Sequence, residues 1–410
     1  MIDLRSFIFY GVVLDLSLLP MFHIFGFPYK IGLLTVGIVG LFTWHKQHAR
    51  FLLFSFCGLI IACWIGAVYQ SLFYPASSYD FTMYCTASIL LCFLGYTFGY
   101  FNTPKSLNKI LLVAFAVVTM NLIVGGLWDK LPFLIDFYDL NRAVEEGWIK
   151  DRNTGIFLNP NVSALGINIL LLFIVLASRR GLFSRNMIFY MSMLWCMAFI
   201  ALITLGSKSE LLTFIVLSIF LLKDFNLAFF KRYILFVTVG CLIIFSFFIK
   251  HMDRTEVFKH GLWLFTNIHT VIIEQYIVPE IDYDVPGDRR VKFTRALEAF
   301  SYSPIWGSGF DRAEIGIFSE QTKIRYHNDW AYIFVAGGIM GGIFFLLILR
   351  KAWKTHPLLI VPFFFPGLTN SFMLTVQLFC LYGVLWGVLE RDRIEKKFAR
   401  QLSLKSAQAV

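Results

Sequence analysis

RYHNDWAYIFVAGGIMGGIFFLLIL, residues 325–349, decides how this chain is read: a polar tetrad, Arg325-Tyr326-His327-Asn328, runs directly into an almost unbroken apolar stretch. Apolar runs of about 20 residues cross a bilayer as helices, so 329–349 reads as a span. The tetrad is the end of a long polar segment, Lys250 to Asn328, which holds ten of the chain's Lys and Arg residues and three histidines ahead of His327. Polar side chains at that density cannot be spread over lipid-facing surface. The segment therefore reads as a large aqueous loop pinned between spans.

Composition outside the loop agrees. Of 410 residues, 58% are hydrophobic, 18% aromatic and only 15% charged, against about 45–50% apolar and 25% charged in soluble domains. Mean hydropathy is +0.70. The fold class is an all-α polytopic membrane protein. About twelve spans are expected, near 6–26, 31–44, 51–73, 81–101, 109–128, 159–178, 187–204, 209–222, 233–249, 329–349, 357–372 and 374–389. The first apolar run carries Asp15 and Pro20, lacks a small-residue cleavage site and leads into further spans, so it does not read as a cleavable signal.

The charge sets the orientation. With the N-terminus inside, the inner side carries 20 basic residues and the short outer turns only Lys30 and Lys208, the asymmetry of the positive-inside rule. Both termini are then cytoplasmic. The net charge of +10 is accounted for by lipid-facing inner patches, not by nucleic acid. The organisation expected is an N-terminal bundle (1–128), a first outer loop (129–158), central spans (159–249), the large outer loop with short helices (250–328), C-terminal spans (329–389) and a cytoplasmic tail (390–410). All seven cysteines fall in apolar runs, which excludes a disulfide-stapled outer domain and a Cys-ligated metal site in the loops.

Candidate chemistry lies at the outer boundary. Arg152-Asn-Thr-Gly-Ile-Phe-Leu-Asn159-Pro160-Asn161 sets Asn159 as a cap before Pro160 at the first helical position. Arg152 then stands near a helix N-terminus, a good seat for phosphate, or snorkels to headgroups. Gly206-Ser207-Lys208-Ser209-Glu210 places a lysine and two hydroxyls at another helix start, where Lys208 either meets an anion or pairs with Glu210. In the large loop, Arg289, Arg290, Lys292 and Arg295 follow an acidic stretch that they also balance. Arg295 opens a helical pattern closed by Pro304-Ile-Trp-Gly307-Ser-Gly309. His327 precedes a span capped by Asn328 and neighbours Arg325. A helix N-terminus and a nearby cation both disfavour the imidazolium, leaving the neutral ring a general base requires. The alternative is a structural histidine.

These pieces, in this order across roughly 150–345, resemble the O-antigen ligase and O-antigen polymerase superfamily of bacterial envelope glycosyltransferases. The last piece is His327-Asn328 with Gly338-Ile-Met-Gly341 downstream. One departure is Lys208, where the family commonly carries arginine. Lysine keeps the charge but loses bidentate geometry toward phosphate. The resemblance implies a GT-C-like architecture in the inner membrane with a periplasmic active site. The donor is an undecaprenyl-diphosphate-linked glycan, and the acceptor is the lipid A core (ligase) or another glycan repeat unit (polymerase). The implied surroundings are inner-membrane lipids and a polysaccharide chain-length regulator, and the reaction calls on no metal or other cofactor. It implies further that Arg152, Arg295, Lys208 and Arg325 face the diphosphate while His327 activates the acceptor hydroxyl. The glycines near 338–341 suit the ligase pattern, and small residues also serve close helix packing. A transporter and a non-catalytic assembly partner are the rival classes. For the transporter only Asp15 offers a clear intramembrane charge.

Overall fold

A computed structural model of the protein describes residues 3–19, 22–24, 27–43, 50–73, 79–104, 106–127, 155–157, 159–183, 187–224, 289–310, 328–364, 366–369 and 372–408, with the single positions 131 and 133. The helices are α1 (Leu4–Leu18), α2 (Ile31–Thr43), α3 (Arg50–Phe73), α4 (Asp80–Asn102), α5 (Lys109–Leu127), α6 (Pro160–Arg179), α7 (Met187–Leu205), α8 (Lys208–Asp224), α9 (Arg289–Tyr302), α10 (Asp329–Thr355), α11 (Val361–Phe364), α12 (Pro366–Thr369) and α13 (Val376–Gln408). A short antiparallel hairpin, β1 (Phe22–Ile24) with β2 (Phe27–Tyr29), joins α1 to α2.

This is a helical membrane protein. α3, α4, α6 and α10 are each long and apolar enough to cross a bilayer, and α2, α5, α7 and α8 contain shorter apolar helices. Helix limits at these eight elements fall close to those read from the sequence, apart from α10, which continues to Thr355. The span expected at 233–249 lies outside the described residues. Large apolar side chains such as Phe42, Phe54, Leu72 and Leu346 stand exposed on α2, α3 and α10, the surface lipid would cover. α6 is buried on nearly every side, as a helix apolar all round must be.

Two expected spans are corrected. The first ends at Leu18 instead of 26, because Leu19, restricted by Pro20, is already extended (φ −81°, ψ 144°). The 357–372 stretch is not one helix. Pro357 starts a 3₁₀ turn, Pro357–Ile360, and Pro362 and Pro366 sit in α11 and α12, each only four residues long.

Asp15, the transporter's one clue, has a structural partner set. Its carboxylate accepts from the Gly32 amide (2.8 Å) at the start of α2, and Lys30 donates to the Asp15 carbonyl (2.7 Å) near the end of α1. Each residue thus satisfies a backbone group the other helix leaves open. Burial pushes the Lys30 ammonium down to about 8, against an opposing pull from Asp15.

The closest helix pairing is α4 with α13. Gly95 and Gly99 face Gly383 and Gly387, each pair four residues apart. A Cβ on Gly95 would lie 2.6 Å from the Cys380 carbonyl oxygen, and Cβ atoms on the other three would overlap the carbonyls of Val384, Cys92 and Tyr96. Backbones in lipid approach this closely only through glycine. The contacts ascend together along both chains, from Tyr84 with Leu374 to Gly99 with Val384, so α4 and α13 run parallel. At the level where α4, α6 and α10 end, Arg180 donates to the Thr355 carbonyl (2.8 Å), bonds the Leu389 carbonyl and pairs with Asp392 (3.3 Å). Glu390 is held there by Lys351, Thr355 and Arg393. The start of α4, α10 and α13 marks the opposite end, where the candidate site is expected.

Candidate functional site

Four sequence motifs reach that opposite end, and the backbone shows how each is fixed. In the first, the Asn159 side chain accepts from the amides of Asn161 (2.9 Å) and Val162 (3.3 Å), with Pro160 beginning α6. This is the cap the sequence suggested. Before it, Gly155 takes φ 66°. A side chain there would strike Asn121 and Ser163. Their oxygens instead accept from the amides of Ile156 and Phe157, both at 3.1 Å. The chain leaving Arg152 is thereby stitched to α5 and α6.

The second motif is the α7–α8 turn, with Gly206 at φ 62°. Ser207-Lys208-Ser209-Glu210 has the spacing of a capping box, but the Glu210 side chain is used elsewhere. Its Oε2 accepts from Asn168 Nδ2 (2.7 Å) on α6, and the same nitrogen donates to the Glu210 carbonyl (2.8 Å). Glu210, Asn168 and Ser207 are all buried, and Glu210 Oε1, Asn168 Oδ1 and Ser207 Oγ have no hydrogen-bond partner among the described residues. Asn168 lies eight residues into α6, so this turn sits about 12 Å below the start of that helix.

The third and fourth motifs interlock. α10 is broken at Gly338 (φ 59°, ψ −156°), and the 303–310 turn enters the break. Ser308 donates to the Val335 carbonyl through its amide (2.8 Å) and hydroxyl (3.1 Å), and Ile339 donates to the Pro304 carbonyl (2.8 Å). The Val335 carbonyl and the Ile339 amide, freed by the break, thereby find partners, as irregular chain at membrane depth requires. Gly307 and Gly309, both at φ 75°, let the turn press on α10 and on Ala67 of α3. Phe310 is buried against Phe81, its amide donating to Thr82 (3.2 Å). Gly338 therefore breaks α10 and is packed against the 305–307 backbone, so the close approach read for it is made to the turn. Gly341 does pack on Leu59 and Ala62 of α3.

Residues 192–346, from α7 through most of α10, match the protein-family model described as O-antigen ligase. This stretch is similar to an O-antigen ligase domain. The resemblance drawn from the motifs is borne out, and three of the four lie inside the matched region. The match supports a membrane glycosyltransferase of the ligase or polymerase type. No curated protein matches the chain.

Short elements tie these segments together. Asn328 caps α10, its Oδ1 accepting from Ala331 (3.1 Å). Buried Asp329 accepts from the amides of Phe372 and Met373, both at 3.1 Å, which fixes the approach to α13. Gly367 of α12 lies against Asp329, and α12 also touches α8. α13 in turn packs on α6, Leu378 beside Gly166. The segments bearing the first, second and fourth motifs are thus joined through α12 and α13.

Of the candidate residues, Arg152, Arg325 and His327 lie outside the described residues. Lys208 is the first residue of α8, and Arg295 sits mid-way along α9, which begins six residues earlier than the sequence pattern suggested; for both the description stops at the backbone. α9 packs on α10 through Ala296, Ala299 and the Phe300–Phe334 edge contact. The Asn168–Glu210 pair and Asp329 were not singled out beforehand. A polar residue inside the apolar run of α6, and an acid at the mouth of a span, were the available signals.

Proposed function

We propose that the protein is an O-antigen ligase-type glycosyltransferase of the bacterial inner membrane, with about twelve spans, cytoplasmic termini and a periplasmic site. In this reading the glycan is carried by undecaprenyl diphosphate and passes to a hydroxyl of the lipid A core. The acceptor oxygen bonds the anomeric carbon as the bond from that carbon to the diphosphate oxygen breaks. The electron pair leaves on undecaprenyl diphosphate, and His327 takes the hydroxyl proton, an effect typically worth about 10²–10⁴-fold. Arg152, Arg295, Lys208 and Arg325 offset the charge growing on the leaving diphosphate, usually the largest contribution in such a step. A single displacement inverts the anomeric centre.

The observation that carries the reading is the interlock at Gly338, because it ties the helix of Arg295 to the helix that His327 precedes. Chain length supports it as well: Arg152 is three residues from Gly155, a reach of about 11 Å. The test is transfer by the purified protein from a lipid-linked glycan without an energy source. His327→Ala, Arg152→Ala and Arg295→Ala are expected to abolish product at normal protein levels. Loss of surface assembly with transfer intact would favour an assembly role. Requirement for an ion gradient would favour transport. Gene deletion separates ligase from polymerase: free lipid-linked polymer accumulates in the first case, and single repeat units still capped onto lipid A core appear in the second.

A further inference from the structure

At the end of the bundle away from the motifs, a cavity of about 620 Å³ opens between the start of α1, the α4–α5 turn and α13. Its floor is apolar, from Pro104, Leu107 and Leu182, and its walls carry charges of both signs. We propose that this cavity binds the headgroup of a phospholipid bearing a phosphate and a primary ammonium, phosphatidylethanolamine being the probe.

The charges on the wall are not equivalent. Arg391 is paired with Glu395 (2.7 Å), and Asp392 with Arg180 (3.3 Å) and Lys396 (3.1 Å). Asp3 caps α1, accepting from the Arg5 amide and the Ser6 hydroxyl. The exposed Arg5 guanidinium makes no hydrogen bond or ion pair among the described residues, and it stands in the first turn of α1, where the helix dipole also favours an anion. That is a phosphate seat. Asp3 and Glu395 face the same space with acceptor capacity left, and an ammonium with three N–H groups can use it. A choline headgroup carries the charge without the donors, and a purely anionic headgroup would meet the carboxylates unpaired. Leu4 and Phe7, 70% and 66% exposed on α1, give that helix an apolar surface along which acyl chains leaving the cavity would run.

The experiment is native mass spectrometry of the full-length protein in detergent with an equimolar mixture of phosphatidylethanolamine, phosphatidylcholine and phosphatidylglycerol. Retention of the first about ten-fold over the others is expected, in line with charge-assisted hydrogen bonds on both halves of the headgroup. Arg5→Glu and, independently, Glu395→Gln are expected to erase that preference. Arg50→Glu, an exposed arginine away from the cavity, should leave it intact. Equal retention of all three lipids, preference for phosphatidylglycerol, or an unchanged profile in Arg5→Glu overturns the proposal. So does displacement by soluble phosphoethanolamine without any retained lipid. The readout is binding, so it stands or falls apart from glycosyl transfer.

Discussion

Replacing Gly338 by alanine tests the interlock most directly. A Cβ at this position would lie 2.5 Å from the Ile305 carbonyl carbon and 2.7 Å from the Gly307 nitrogen, both backbone atoms that cannot swing aside. The conformation is one that residues with a Cβ hardly adopt, at about 1–3 kcal/mol. Pushing the turn away forfeits the Ser308–Val335 and Ile339–Pro304 bonds, roughly 1 kcal/mol each. Against this, alanine favours a straightened α10 by about 1 kcal/mol. The balance is a loss of about 2–4 kcal/mol, with the 303–310 turn expelled whether or not α10 straightens. Ser308 is buried, so a Ser308→Cys probe should react with maleimide only when Gly338→Ala is also present, above the shared background of native thiols. Unchanged labelling together with an unchanged melting temperature would refute the argument. It would mean that the break is not held by the turn.

At the α4–α13 crossing, Gly99→Ala and Gly383→Ala each place a methyl group on a facing carbonyl; melting in detergent should fall by an amount equivalent to about 1–3 kcal/mol, and wild-type melting would contradict the close approach. Asn168→Leu strips the Glu210 carboxylate of its one described side-chain donor, a loss of about 1–3 kcal/mol that Glu210→Leu in the same chain should partly restore, as a double-mutant cycle would read. At the other end, burial raises the Glu390 carboxyl, but the hydrogen bonds from Arg393, Lys351 and Thr355 outweigh it and leave it below its ordinary value. A depressed acid contributes stability that is full above its unfolded pKa and fades as pH falls through the folded one. Acid melting curves should therefore flatten in Glu390→Gln below about pH 4.5, and coincident curves would mean that the Lys351, Thr355 and Arg393 contacts add no stability through this carboxylate. Lys208→Arg, which restores bidentate geometry, is expected to keep transfer where Lys208→Ala lowers it about 10²-fold; activity unchanged in both would take Lys208 out of the mechanism.

What could be read in advance follows the range of the interaction that decides it. Caps are local, so Asn159 before Pro160 and Asn328 before Asp329 were legible from neighbouring residues. Long apolar runs located α3, α4 and α6 to within about two residues. The failures involve distant partners. Nothing near Gly338 in the sequence says that residues 303–310 will fill a break, since a glycine among glycines reads equally as packing. The Glu210 side chain obeys a local rule in the sequence and a distant one in the fold, because Asn168 competes for it across α6 and α8. The proline-broken passage after His356 was masked by its apolar composition, which satisfies a hydropathy ruler whether or not the helix continues.

The same geometry changes how substitutions in these motifs should be interpreted. Backbone leaves its helix within a membrane protein only where its polar groups find other partners. Here those partners for α10 are supplied by the turn that follows Arg295. Gly307, Ser308 and Gly309 therefore hold the bundle together and also hold one motif beside another, so lost activity at these positions cannot be assigned to chemistry alone. Side chains that take no part in the backbone pairing are the cleaner probes. Arg295 belongs to a helix that reaches α10 through Ala296, Ala299 and Phe300, and shortening its side chain leaves those contacts in place. If Arg295→Lys or Arg295→Ala lowers transfer while Ser308 stays inaccessible and melting is unchanged, the deficit lies at the substrate. If the Ser308 probe opens in step with the loss, the arginine acts by holding the turn.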